Sequence, residues 1–199
     1  MKTLLRIDSS PRKESSISRQ LATTLQEHLL AENDTILHRD LYYDDLITLG
    51  NQDRVDAYFT PVDQQTEIQK AAVESSNILA GEFANADTYI IAAPMYNFSV
   101  TAALKTYIDA IARVGISFNY TENGPVGLLK NKKAYVIITT GGTKLNSPVD
   151  HVTGYLTTFL NFIGITDITF ISADEIMANQ EKAITEAKEL ISKLETIKN

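Results

Sequence analysis

The segment Pro94-Met95-Tyr96-Asn97-Phe98 breaks an apolar run, Thr88 to Ala93, and displays a thioether, a phenol, an amide and a phenyl ring at a strand exit. Such side chains can stack on a planar ligand and hydrogen-bond its edge, although Met95 and Phe98 could equally pack an ordinary turn onto the core. A second segment, Asp8 to Ser18, offers the hydroxyls of Ser10, Ser16 and Ser18 just before a helix. Free amides and clustered hydroxyls at a helix start can cradle a phosphate, with Arg12 or Lys13 assisting from the rim. The competing reading is a capped, serine-rich turn in which Ser16 or Ser18 is only the N-cap. The third segment is Thr139-Thr140-Gly141-Gly142, with Lys144 and Asn146 close behind. Two glycines let backbone amides approach a flat ring edge that a Cβ would obstruct, and Thr139 and Thr140 add hydroxyls; a plain turn is the alternative.

These three segments make one site only if the elements before them end side by side. Thr3 to Asp8 reads as a first strand, and Ser18 to Leu30 as a helix with Leu21, Leu25 and Leu29 on one face. Thr35 to Arg39 is a weaker strand, with His38 as an exposed or edge residue and Asp40, Asp44 and Asp45 as solvated acids rather than a metal cluster. Residues 40–63 read as irregular, a surface excursion around a site or an interface. A helix follows from about Gln64 to Ala84, with an apolar stripe of Ile68, Ala71, Ala72, Ser75, Ile78, Leu79 and Phe83. The strand Thr88 to Ala93 is apolar on both faces and feeds a helix from about Thr101 to Val114 carrying Leu104, Ile108 and Ile111. Ala134 to Thr140, a helix near Val149 to Phe162, Thr166 to Ser172, and a helix from Gln180 to Ile197 complete the chain. Alternating strands and helices require an α/β parallel sheet covered on both faces. Five strands at this length favour a flavodoxin-like three-layer sandwich of strand order 2-1-3-4-5, whose switch point brings the three polar loops together.

The 199 residues fit a single domain, 1–199. With 18 basic and 25 acidic residues the formal charge is −7, and the absence of a basic stripe argues against nucleic-acid binding. There is no cysteine, so any redox chemistry falls to a bound cofactor rather than a thiol. No secretory leader and no long apolar segment is evident, which leads us to expect a cytoplasmic protein that does not enter the membrane.

The first loop lacks both G-x-x-x-x-G-K-[ST] and G-x-G-x-x-G, so neither a triphosphate hydrolase nor an ordinary dinucleotide-binding domain is expected. A phosphate held by hydroxyls and amides suits the single terminal phosphate of flavin mononucleotide, FMN. The chain resembles the FMN-dependent NADH-azoreductases, also called FMN-dependent NADH:quinone oxidoreductases. The likeness rests on Ser9-Ser10 with Ser16-Ile17-Ser18, on Ala93 to Phe98, on Phe118 to Pro125 with Gly127-Leu128, and on Thr157, Phe159, Leu160 and Phe162 to Ile165. It implies a flavin phosphate near Ser10, Ser16, Ile17 and Ser18, and a ring beside Met95, Tyr96, Asn97 and Phe98 and beside Thr139, Thr140, Gly141 and Gly142. Many relatives carry arginine where this chain has Thr140. The resemblance further implies a homodimer with one noncovalent FMN per subunit and pockets lined from both subunits.

Phe118 and Tyr120 would share one side of an extended segment and form an aromatic wall over a planar substrate, or bury against the protein or its partner. The reaction expected from the resemblance is ping-pong, with NADH or NADPH reducing the flavin and a quinone or azo compound reoxidising it. Asn97, the glycine-loop amides and Tyr120 would orient or polarise, with no metal and no protein nucleophile; His151 reads as a helix-face residue. A flavodoxin-like electron-transfer module serving a protein partner, or a nonredox interaction protein, are the other readings.

Overall fold

The computed structural model describes residues 2–31, 33–44 and 51–196. Five parallel strands form the central sheet: β1 (Thr3–Asp8), β2 (Thr35–Asp40), β3 (Thr88–Pro94), β6 (Lys133–Thr139) and β7 (Asp167–Ala173). Their order is β2-β1-β3-β6-β7, which is 2-1-3-4-5 when only the sheet strands are counted. A separate antiparallel hairpin, β4 (Phe118–Thr121) and β5 (Gly124–Gly127), lies between β3 and β6 in the chain. The helices are α1 (Ile17–Leu29), α2 (Gln52–Phe59), α3 (Glu67–Asn85), α4 (Ala102–Ile111), α5 (His151–Ile163) and α6 (Gln180–Ser192). Among the described residues no helix is long and apolar enough to cross a membrane.

Because successive strand residues face opposite ways, Ile90 and Ala92 enter a core under α1 and α6, whereas Tyr89, Ile91 and Ala93 enter the core under α3, α4 and α5. All of β3 is buried, as expected of a strand sandwiched between two helical layers. Leu21, Leu25 and Leu29 seat α1 on its side of the sheet. The register aligns Asp8 with Ala92, Pro94 with Thr139, and Thr139 with Ala173, so four strand ends open at one edge.

Three expectations are corrected. The 40–63 excursion contains regular structure: Asn51 caps α2 by accepting from the Arg54 amide at 3.1 Å, and Val62–Gln64 form a 3-10 turn. The helix is polar and buries only Ala57, which leaves little periodic signal. The buried face of α3 is Val73, Ser76, Leu79, Ala80 and Phe83, while Ile68 is 66% and Ile78 55% exposed. The polar Ser76 can sit inside because its hydroxyl donates to the Ala110 carbonyl at 2.5 Å. The last helix ends at Ser192, and the Ile197 end expected for it lies outside the described residues, as does Asp45.

At the far end of the sheet, the hairpin is held by a close approach of two glycines. A Cβ on Gly127 would lie 2.2 Å from backbone atoms of Ile163 and Gly164, and Leu129 donates to the Ile163 carbonyl at 2.9 Å. Gly164 itself ends α5 in the left-handed conformation, φ 103°.

Candidate functional site

The aligned strand ends open into a cleft of about 970 Å³. Its first wall is the β1–α1 loop with Ser10, Arg12, Ser15, Ser16 and Ile17; Gln20 follows on the helix. Ser9 fastens this loop to β3, its amide and hydroxyl both donating to the Ala92 carbonyl at 3.2 and 2.7 Å. Ser16 is the N-cap of α1, but its oxygen lies 3.4 Å from the Arg19 amide, a long cap bond, and 3.1 Å from the Ser18 oxygen. Ser18 is buried behind Ser16 and is not itself on the wall. Ser10 accepts from the Arg12 amide at 3.2 Å and keeps its proton for another acceptor.

Behind the loop stands a charged clamp. The Arg19 guanidinium donates to both Asp40 oxygens at 2.6 and 2.7 Å and to the Ser10 carbonyl at 2.6 Å. Burial alone would raise the Asp40 carboxyl, but the bonds from Arg19 and the Tyr42 amide outweigh it and hold it below the ordinary carboxylate range. Asp40 is therefore a structural anchor rather than a solvated acid. Asp44 likewise accepts from the Asp40 amide at 3.0 Å. His38 is on the edge strand β2 and 48% exposed, as expected, and places Nε2 2.8 Å from the buried Asp8 carboxylate, which Arg6 contacts at 2.9 Å.

The second wall is Pro94, Met95 and Tyr96. Met95 donates to the Thr139 carbonyl at 2.8 Å, and Tyr96 and Ser99 exchange amide and carbonyl bonds at 3.0 and 3.1 Å. Between them Asn97 and Phe98 adopt positive φ, 49° and 69°, the geometry of a tight two-residue turn. Asn97 and Phe98 form the tip of that turn, next in the chain to the lining residue Tyr96, and Phe98 is 53% exposed. Its position is fixed by the His151 amide, which donates to the Phe98 carbonyl at 3.1 Å at the start of α5.

Thr139, Thr140 and Gly141 make the third wall, while Gly142 lies beyond it. Their two hydroxyls are not equivalent. The Thr139 hydroxyl has no hydrogen-bond partner among the described residues, whereas Thr140 Oγ1 donates to the Thr143 carbonyl and accepts from the Glu175 amide at 3.0 Å. In this structure the single Thr140 proton is engaged within the protein, while that of Thr139 is available to a ligand. Phe118 and Tyr120 lie outside the wall altogether. They do share one side of β4, 5.4 Å apart edge to face, but Phe118 is buried 4.5 Å from the Phe162 ring and Tyr120 is 66% exposed.

A fourth wall, Ile176, Met177 and Gln180 from the β7–α6 segment, was missed in the sequence. It has no glycine or hydroxyl cluster; only the strand order, which sets the fifth strand beside the fourth, could have signalled it.

The cleft's donor set is one-sided. Its lining carries no acidic side chain, and its lone cation, the exposed Arg12, has no side-chain partner among the described residues. Hydroxyls, helix-start amides and a guanidinium at one end suit a phosphate; Met95, Tyr96, Ile176 and Met177 with the Gly141 backbone at the other suit a flat ring. FMN fits this arrangement.

The architecture defines a flavodoxin-like protein, and the flavodoxin-like fold family model matches residues 1–195. The chain belongs, within it, to the FMN-dependent NADH:quinone oxidoreductases. It is 49% identical over 191 residues to FMN-dependent NADH:quinone oxidoreductase 1 of Hahella chejuensis, covering 95% of this chain and 93% of that one. The corresponding protein of Jannaschia sp. is 44% identical, covering 98% and 99%. Among solved structures, an FMN-dependent NADH-azoreductase from Bacillus anthracis in complex with FMN superposes with a TM-score of 0.86 at 28% identity, covering 96% of each chain.

Proposed function

We propose that the four-walled cleft holds FMN, with the phosphate at Ser10, Ser16, Ile17 and the start of α1, and with the ring between Met95–Tyr96 and Thr139–Gly141. The protein is an FMN-dependent NADH oxidoreductase acting on quinones and azo compounds. FMN held there would supply the two-electron redox chemistry between nicotinamide and substrate. The chain's residues bind, orient and exclude water. Ser10 and Ser16 donate to phosphate oxygens, Thr139 offers its free hydroxyl to the ring edge, and Met95, Tyr96 and Met177 shield it. The observation that carries this reading is the continuity of an acid-free phosphate cradle with an apolar slot at one sheet edge.

The same reading extends to a homodimer. Tyr120 is not among the residues lining its own cleft, and in this reading its place is in the substrate pocket of the partner subunit. Exposed Phe59 (80%), Val62 (76%) and Tyr120 (66%) leave large apolar side chains for a second copy to cover. The reading also takes the chain as one domain, in the cytoplasm where NADH is supplied, with small molecules rather than nucleic acid as partners in keeping with its charge of −7.

Anaerobic mixing of the FMN-loaded protein with NADH, then with a small quinone, is the test. Bleaching followed by recovery of flavin absorbance in two separable steps is expected. A flavin that NADH leaves oxidised, while a protein donor reduces it, would overturn the enzyme reading in favour of an electron-transfer module. Light scattering that gives one chain per particle in a fully active sample would sink the shared pocket.

A further inference from the structure

We infer that Thr140 is a positioning residue: its hydroxyl latches the β7–α6 segment onto the loop after β6 and thereby holds Gly141 and Met177 against the cofactor. The inference rests on the assignment of the cleft to FMN.

Every polar atom of Thr140 is used between these two segments or inside the loop. Its amide donates to the Ala173 carbonyl at 3.2 Å, and its carbonyl accepts from the Ile176 amide at 3.1 Å. Its hydroxyl donates to the Thr143 carbonyl, closing the turn that displays Gly141 and Gly142, and accepts from the Glu175 amide. The residue is 2% exposed, so these bonds are made away from water.

Glu175 has φ 52°, a left-handed backbone that a residue with a side chain adopts only where its surroundings hold it there. The bond from its amide to Thr140 Oγ1 is such a restraint. The residues that follow then return to the cleft: the Met177 amide donates to the Gly141 carbonyl at 2.8 Å, and a Cβ on Gly141 would meet the Met177 sulfur at 3.2 Å. Met177 is 87% exposed, so little apart from this backbone path keeps it at the cleft. Leu145 adds a second tie, its amide donating to Asp174 at 2.8 Å. A hydroxyl with its proton spent cannot donate to a ring edge, so Thr140 acts on the cofactor through the residues it holds.

The test compares Thr140→Val, which keeps the branched shape and removes the hydroxyl, with Thr140→Ser, which keeps the hydroxyl. Amide hydrogen exchange of residues 175–177 is read in the apo protein, and the FMN dissociation constant by flavin fluorescence. Thr140→Val is expected to speed that exchange about tenfold and weaken FMN about tenfold, with Thr140→Ser within about twofold of wild type on both. Unchanged exchange in Thr140→Val overturns the latch; faster exchange with unchanged FMN affinity overturns its positioning role. A wild-type chain that takes up no FMN refutes the assignment of the cleft and the positioning role together, while the exchange contrast still reports the latch itself. Asp174→Ala loosens the second tie without touching β6 and is expected to move both readouts in the same direction. If Thr140→Val does not fold, Thr140→Ala takes its place as the hydroxyl-free variant, with the same expected changes, and unchanged exchange or unchanged FMN affinity in it overturns the latch or its positioning role in the same way.

Discussion

Replacing Ser16 and Ser18 together with alanine separates a phosphate cradle from a helix cap. In the apo chain Ser16 contributes a cap bond of 3.4 Å and a contact of 3.1 Å with Ser18. A cap that long falls at the weak end of the usual range, so its loss should cost about 0.5 kcal/mol, or a fall of about 1–2 °C in Tm for a chain of this size. Bonds from these hydroxyls to a charged phosphate are each worth about 1.5–3 kcal/mol. Losing one or both should therefore weaken FMN by about 1.5–6 kcal/mol, roughly 10- to 25,000-fold in Kd. Buried Ser18 contributes the smaller part if its proton stays on Ser16. The assay pairs apo-protein thermal unfolding with titration of FMN by fluorescence quenching. A loss of binding no larger than the loss of apo stability would refute the cradle and leave only the cap.

Asp40→Asn removes the carboxylate that grips Arg19 and should cost about 2 kcal/mol at pH 7. Because the folded-state pKa is depressed, that stability is present above the ordinary carboxylate value of about 4 and is lost as pH falls through the lower folded value. Denaturant unfolding should show the gap between wild type and variant at pH 7 closing below about pH 4, and an equal gap at both would contradict the assignment. Gly127→Ala should destabilise by about 3 kcal/mol, seen as a lowered denaturant midpoint, since its Cβ would meet rigid backbone of Ile163 and Gly164. An unchanged midpoint would show that the hairpin yields. Tyr120→Ala should slow the quinone half-reaction while leaving FMN retention intact; equal rates would remove Tyr120 from the substrate side.

The sheet and the three polar loops were legible in the chain because each is written locally. Thr88 to Ala93 has no polar interruption, which only a strand between two helical layers tolerates, and Leu21, Leu25 and Leu29 repeat at helical spacing. The serines after β1 and the Thr139–Gly141 run after β6 stand out by residue type, and both loops line the cleft. Strand order then followed from length and alternation, and with it the convergence of the loops.

Tertiary structure decided what depends on partners distant in sequence. The buried face of α3 turned on whether Ser76 found an acceptor on α4, which periodicity cannot report. Asp40 became an anchor only because Arg19 lies opposite it, 21 residues away. Asn97 and Phe98 sit at the tip of a turn that Tyr96 and Ser99 close, and Tyr120 stands on a hairpin fixed through Gly127 and Gly164. Thr139 and Thr140 are identical in composition and adjacent in the chain, yet one hydroxyl is free and the other spent. Residue type sets what a side chain can donate, while the direction of its Cα–Cβ bond in the assembled sheet sets what it meets, and that direction alternates with every residue.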